Sequence, residues 1–189
     1  MMSGKLIVIS APSGSGKTTI AKEILCRNPI LTFSVSATTR PKRPDEVEGK
    51  DYFFLSQEDF KRRREAGEFV EWEEMYGDCY GTLKSEVDSA MARGRSVLFD
   101  VDVKGGLSIK QRYPEAVLIF IRPPSLEALK DRLVNRKTEN QVTLKRRLNR
   151  VSMEMELGKK FDRQVVNDEL DRAIREVQSI VEQQLGKPT

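Results

Sequence analysis

Apolar residues in this chain gather in short dense runs, separated by polar stretches with helical spacing. Leu6-Ile7-Val8-Ile9, ended by Ser10, is wholly apolar and mostly β-branched. That pattern predicts a strand buried on both faces, as in a parallel sheet. Small residues fill positions 11–16. From Thr18 to about Arg27 the pattern turns helical, with Ile20, Ile24 and Leu25 on one face, and Asn28-Pro29 ends it. The theme returns along the chain. Residues 96–102 read as a strand ending in carboxylates, 116–121 as another, and 164–167 as a short one. Pro123-Pro124-Ser125 breaks the chain and caps a helix predicted to run to about Arg136. A last helix is predicted over 170–184, with Leu170, Ile174, Val177 and Val181 at helical spacing. Strands alternating with helices predict an α/β fold whose mostly parallel sheet is flanked by helices.

Two segments interrupt the alternation. Residues 34–84 are polar and rich in turn signals, and hold three of the four tyrosines and the single tryptophan. They read as an inserted subdomain. A helix is predicted within it over 57–66, capped by Ser56 with Asp59 three residues on. The second segment, residues 135–158, is a polar stretch followed by a basic helix. The core is then made of residues 1–33, 85–134 and 159–189.

Composition narrows the chemistry. A chain of 189 residues, 38% hydrophobic and 33% charged, suits a globular fold of one or two compact units. Its net charge of +4 does not by itself imply nucleic acid as a partner. The sequence has no histidine, which excludes Ser-His-Asp and Cys-His nucleophilic catalysis and His-ligated metals. Cys26 and Cys79 form no C-x-x-C pair, so neither a structural zinc site nor a redox dithiol is expected, and a reducing compartment fits. No apolar run approaches the roughly 20 residues that span a bilayer, and the first apolar run is too short for a signal peptide. The expected location is the cytoplasm, away from membranes.

Residues 11–18, Ala-Pro-Ser-Gly-Ser-Gly-Lys-Thr, follow the phosphate-binding pattern G-x-x-x-x-G-K-[ST] except for Ala11 in the first place. Gly14 and Gly16 let backbone N–H groups approach phosphate, and the helix that follows adds the positive end of its dipole. Lys17 is placed to reach the β- and γ-phosphates, and the Thr18 hydroxyl to ligate Mg²⁺. Val97-Leu98-Phe99-Asp100 has the form of a strand ending in a magnesium-holding carboxylate, acting through water.

Taken with the insertion, the chain resembles a guanylate kinase of the bacterial type, a P-loop nucleoside monophosphate kinase. The resemblance rests on Ser36-Ala37-Thr38-Thr39-Arg40-Pro41-Lys42-Arg43, Gly49-Lys50-Asp51-Tyr52, Phe69-Val70-Glu71-Trp72, Tyr80-Gly81-Thr82, Asp100-Val101-Asp102 and Val166-Asn167-Asp168. It covers nearly the whole chain, and bacterial members commonly carry alanine at the Ala11 position. It implies a P-loop core, a GMP-binding subdomain (34–84) and a helical lid (135–158). It also implies a transferase of purine nucleotide metabolism, which moves the γ-phosphoryl of ATP to GMP with Mg²⁺. The implied ATP site is Ala11, Pro12, Ser13, Gly14, Ser15, Gly16, Lys17, Thr18 and Thr19, with Asn167 toward adenine. The implied GMP site is Ser36, Arg40, Arg43, Tyr52, Glu71, Tyr80, Thr82 and Asp102. A carboxylate at Glu71 can accept both N1–H and the N2 amino group of guanine, a donor pair that adenine lacks. Arg40 and Arg43 would clamp the GMP phosphate through their planar forks. Three departures from the common pattern stand out: Asp45 and Lys137 where glycine is frequent, and Thr82 where serine is.

Residues 122–150 contain nine Lys/Arg against three Asp/Glu, a net of +6 that exceeds the +4 of the entire chain. By resemblance Arg132, Arg136 and Arg147 from this stretch join Lys17 as the catalytic cations over the transferring phosphoryl group. No general base is required, because the acceptor phosphate loses its second proton at a pKa of about 6. The implied partners are ATP and GMP, with dGMP not distinguished from GMP. No nucleic acid, membrane or obligate protein partner is expected. Three rival readings are a P-loop kinase acting on AMP, UMP or dTMP, a non-enzymatic kinase-like scaffold, and a nucleic-acid binder using Lys61-Arg62-Arg63-Arg64 and Lys145-Arg146-Arg147.

Overall fold

The structure, a computed structural model, describes residues 4–75, 77–129 and 141–186, the side chains of 141–149 excepted. The chain opens with β1 (Leu6–Ser10), α1 (Lys17–Arg27) and β2 (Leu31–Phe33). There follow β3 (Ser36–Thr38), β4 (Phe53–Phe54), α2 (Gln57–Glu65), β5 (Phe69–Met75) and β6 (Asp78–Leu83). It continues through α3 (Lys84–Ala92), β7 (Ser96–Asp100), α4 (Val103–Arg112) and β8 (Val117–Arg122). The remaining described elements are α5 (Gln141–Gly158), β9 (Arg163–Val166) and α6 (Leu170–Gln184).

Five strands form one sheet in the order β2-β7-β1-β8-β9, and each pairing is parallel. All five residues of β1 are buried, as its unbroken apolar run predicts. The strands send alternate side chains to opposite faces. Ile7, Ile9, Leu98 and Ile119 pack with Ile20 and Ile24 of α1 and Ile174 and Val177 of α6. Leu6, Val8, Phe99 and Phe120 pack with Val87 of α3, Val103 and Ile109 of α4, and Phe161. Helices thus cover both faces, and the carboxyl ends of β1 and β7 open side by side at one edge, where ligands of such sheets bind.

Residues 36–83 add a four-stranded sheet, β4-β3-β6-β5, in which β6 runs antiparallel to both neighbours. It has a small core of its own, with Phe60 of α2 stacked on Phe69 of β5 at 4.4 Å between ring centroids. Ser56 caps α2 by accepting the Asp59 N–H at 3.0 Å, as expected. Two local expectations need correction. The strand read over 96–102 stops at Asp100, because Asp102 accepts the Gly105 N–H at 2.8 Å and starts α4. Leu170 is 39% exposed, and Ala173 takes its place among the buried residues of α6.

Candidate active site

The loop after β1 is shaped for an anion. Gly14 and Gly16 hold φ of 89° and 85°, left-handed values that side chains disfavour. Gly16 has a second constraint, since a Cβ there would lie 2.6 Å from Asn167 Nδ2. That amide donates to the Ser15 carbonyl at 2.8 Å, bracing the loop from the end of β9. Helix α1 begins without a side-chain cap and without an acidic residue in its first turn, so its leading N–H groups are left to phosphate. The buried Ser15 hydroxyl has no hydrogen-bond partner among the described residues. Lys17 ion-pairs with Asp100 across the β1–β7 edge. Thr18 and Thr19 are exposed on the first turn.

Thr18, Asp100 and Tyr52 line one cavity of about 370 Å³. Among the described residues no cluster of three or more His, Cys, Asp or Glu side chains is placed to hold a metal. A divalent ion here would therefore draw most of its ligands from nucleotide phosphates and water. Mg²⁺ is ordinarily bound in this way at kinase sites, and one hydroxyl and one carboxylate suit it.

Strand register assembles the other half of the site. Ser36 pairs with Thr82 across β3–β6, and Thr82 with Glu71 across β6–β5. The three predicted base-contacting residues therefore stand in one row on one face. Glu71 is buried, 7% exposed, and accepts the Thr82 hydroxyl at 2.7 Å. Burial and the nearby negative charge of Asp102 push its carboxyl up to about 7, against the opposing Thr82 bond. The N-terminus of α4 abuts it closely, for a Cβ at Gly105 would lie 2.8 Å from Glu71 Oε2.

The predicted phosphate clamps form a neighbouring corner. Arg40 lies over the Tyr52 ring, 5.4 Å from its centroid, and the Tyr52 and Tyr80 rings meet edge-on at 6.2 Å. Burial raises the Tyr52 phenol, so it stays a donor. Arg40 Nη2 donates to Glu46 at 2.6 Å, and the backbone N–H of the exposed Arg43 donates to the same carboxylate at 2.8 Å.

Sequence reasoning missed Glu46, which reads as one more acid beside Asp45. It also missed a cluster around Arg150 of α5. Arg150 Nη2 donates to Asp102 at 2.8 Å and to both Glu73 oxygens at 3.0 and 3.2 Å, and its Nε donates to Glu154 at 2.7 Å. Two signals existed: Glu73 shares the face of Glu71 by strand alternation, and Glu154 follows Arg150 by four residues on a helix. Ser13, Lys17, Asp102, Arg150 and Glu154 line a cavity of about 240 Å³ that joins the phosphate loop to the carboxylates. Arg132, Arg136 and the Arg147 side chain lie outside the described residues.

A family model described as guanylate kinase matches residues 3–184. A guanylate kinase of Thermotoga maritima is 46% identical over 188 residues, spanning 100% of this chain and 91% of that protein. One from Salinibacter ruber is 48% identical over 183 residues, spanning 96% and 97%. The crystal structure of guanylate kinase from Anaplasma phagocytophilum superposes with a TM-score of 0.77 at 29% identity, covering 97% of this chain and 87% of that one.

Proposed function

The chain belongs to the guanylate kinase family and is an enzyme of that activity, and on that premise we propose how its residues move the γ-phosphoryl of ATP to GMP, giving ADP and GDP. One observation carries the assignment. A buried carboxylate, Glu71, stands in a row with two hydroxyls, Ser36 and Thr82, and Asp102 beside it lines one cavity with Ser13 and Lys17 of the phosphate loop. Ionised Glu71 accepts guanine N1–H and N2–H, and the hydroxyls and Asp102 complete the base site. AMP would leave that carboxylate desolvated and unpaired, a mismatch that hydrogen-bonding sites reject strongly.

Arg40 and Arg43, with Tyr52 and Tyr80, hold the GMP phosphate; Arg40 exchanges Glu46 for it. Residues 11–19 cradle the ATP phosphates through backbone N–H groups, and Asn167 keeps the loop in shape at the adenine end. Mg²⁺ would be held by Thr18 and, through water, by Asp100, and when bound it neutralises charge on the β- and γ-oxygens. Lys17, oriented by Asp100, places its ammonium at the transferring group, and Arg132, Arg136 and Arg147 add charge from above. The acceptor oxygen arrives deprotonated, so alignment and charge neutralisation suffice without a general base.

In this reading residues 1–33, 85–134 and 159–189 are the P-loop core, 34–84 the GMP-binding subdomain and 135–158 the lid, whose closure excludes water. No helix among the described residues is long and apolar enough to cross a membrane, and the cytoplasm is the proposed location. Neither nucleic acid nor an obligate protein partner has a role. The test is ADP formation from ATP and Mg²⁺ with GMP, AMP, UMP or dTMP as acceptor. GMP is expected to be used far faster than the rest. Equal or faster use of another monophosphate would overturn the assignment.

A further inference from the structure

We propose that Arg150 is a positioning residue for the acceptor base, which pairs with Glu73 and with one oxygen of Asp102 and so leaves Glu71 as the carboxylate offered to the N1–H and N2 donor pair of guanine. This rests on the guanylate kinase reading and adds a residue to it. Glu71 and Glu73 are two apart on β5 and share a face, and Asp102, at the start of α4, stands opposite. Three carboxylates therefore converge where a nucleotide dianion must also fit. A single guanidinium divides them. Its Nη2 is bonded to Glu73 and Asp102, while Nε is held from behind by Glu154, whose side chain is only 5% exposed. Among the described residues Glu71 has no ion-pair partner, and its carboxylate is bonded by Thr82, through the hydroxyl at 2.7 Å and the backbone N–H. The remaining lone pairs of Glu71 are the ones that two guanine donors need.

The planar fork matters, because one compact ammonium does not satisfy carboxylates in three directions. The same bonds tie the base-binding strand to the core. Glu73 belongs to β5, Asp102 to the start of α4, and Arg150 reaches them from 77 and 48 residues away in the chain. None of these contacts places Arg150 on a reacting atom, so its effect passes through Glu71. The groups that bear on Glu71 are Thr82 from β6, Asp102 from α4 and Lys17 from α1; Glu73, two residues along the same strand, and Arg150 and Glu154 from α5 meet around Asp102. Without Arg150, Asp102 loses its ion pair, and its charge, which already raises the proton affinity of Glu71, favours the protonated form that cannot accept both guanine donors.

The test is steady-state kinetics with GMP and ATP varied separately, on either side of neutral pH. Arg150→Met is expected to raise KM for GMP about fivefold at about pH 7 and about tenfold well below it, the effect of one unit of proton affinity at Glu71, with KM for ATP within about twofold. Its pH midpoint for GMP should move upward. Arg150→Lys should recover only part of the loss. Adding Glu73→Gln to Arg150→Met should restore GMP binding toward wild type, because it removes a charge that Arg150 had neutralised. Glu73→Gln alone preserves shape and the other two ion pairs, and should lower the pH midpoint. If Arg150→Met does not fold, that single variant decides. An unchanged midpoint in Glu73→Gln, no rescue in the double variant, or a loss spread equally over kcat and KM for ATP would overturn the inference. Failure of the wild type to prefer GMP would instead remove the functional reading beneath it.

Discussion

Glu71 lies on β5 with 7% of its surface exposed and Asp102 nearby, so its carboxyl keeps a proton up to about pH 7 rather than the usual 4.5. The sign follows directly. The folded chain binds more protons than the unfolded one between those values, so Glu71's contribution to stability declines as pH rises through that window. Guanine requires the ionised form, so GMP binding strengthens over the upper part of the same range. KM for GMP is expected to rise about tenfold per pH unit below the midpoint. Glu71→Gln should flatten that dependence, leaving only the titration of GMP's own phosphate; a profile of KM against pH for both proteins checks this. Lys17→Ala should lower kcat by about 10²–10³-fold, the usual effect of deleting one charge-stabilising donor, while thermal unfolding shows the fold intact. The loop around Lys17 was legible in sequence because its ligands are contiguous and its glycines are dictated by backbone shape. Glu46, Glu73, Arg150 and Glu154 were not, since their roles arise from contacts between distant parts of the chain.

Among the elements, α4 does more to place the base site than its sequence suggests. Gly105 and Gly106 disguise its first turn, yet both are needed for close approach. A Cβ at 105 would meet Glu71 Oε2 at 2.8 Å, and one at 106 would meet Phe161 at 2.7 Å. Gly105→Ala should therefore displace the Glu71 carboxylate and raise KM for GMP more than KM for ATP, although alanine favours a helix by about 1 kcal/mol over glycine. Helix α2 offers a simpler case. Ser56→Ala removes the acceptor of the Asp59 N–H and should destabilise the fold by about 1 kcal/mol, read from denaturant unfolding. That cap and the span of α6 were readable because local chemistry sets them. The short strands β3 to β6 were not, because their pairing is set by partners up to 46 residues away, as for Ser36 with Thr82. The row of Ser36, Thr82 and Glu71 is a product of that register.

Across the whole molecule, two sheets carry the two halves of the proposed site: the parallel sheet the phosphate loop, and the mixed sheet the row proposed to read the base. Alternating strand and helix patterns were enough to foresee four of the first sheet's five strands, while the three-residue β2 and the strand order, with β1 at the centre, required the structure. The second was visible only as an interruption, and its strand order required the structure. A cavity of about 240 Å³ is lined by Ser13 and Lys17 of the phosphate loop together with Asp102 and Arg150. The account's central claim is that the buried carboxylate of Glu71 chooses the acceptor while fixed cations carry the chemistry. The most direct measurement is the ratio of kcat/KM for GMP to that for AMP, in the wild type and in Glu71→Gln. The account predicts a wild-type preference of about 10³-fold or more, falling by at least about 100-fold in the variant, as for sites that read a substrate's hydrogen-bonding groups. A preference that survives the substitution unchanged would contradict it.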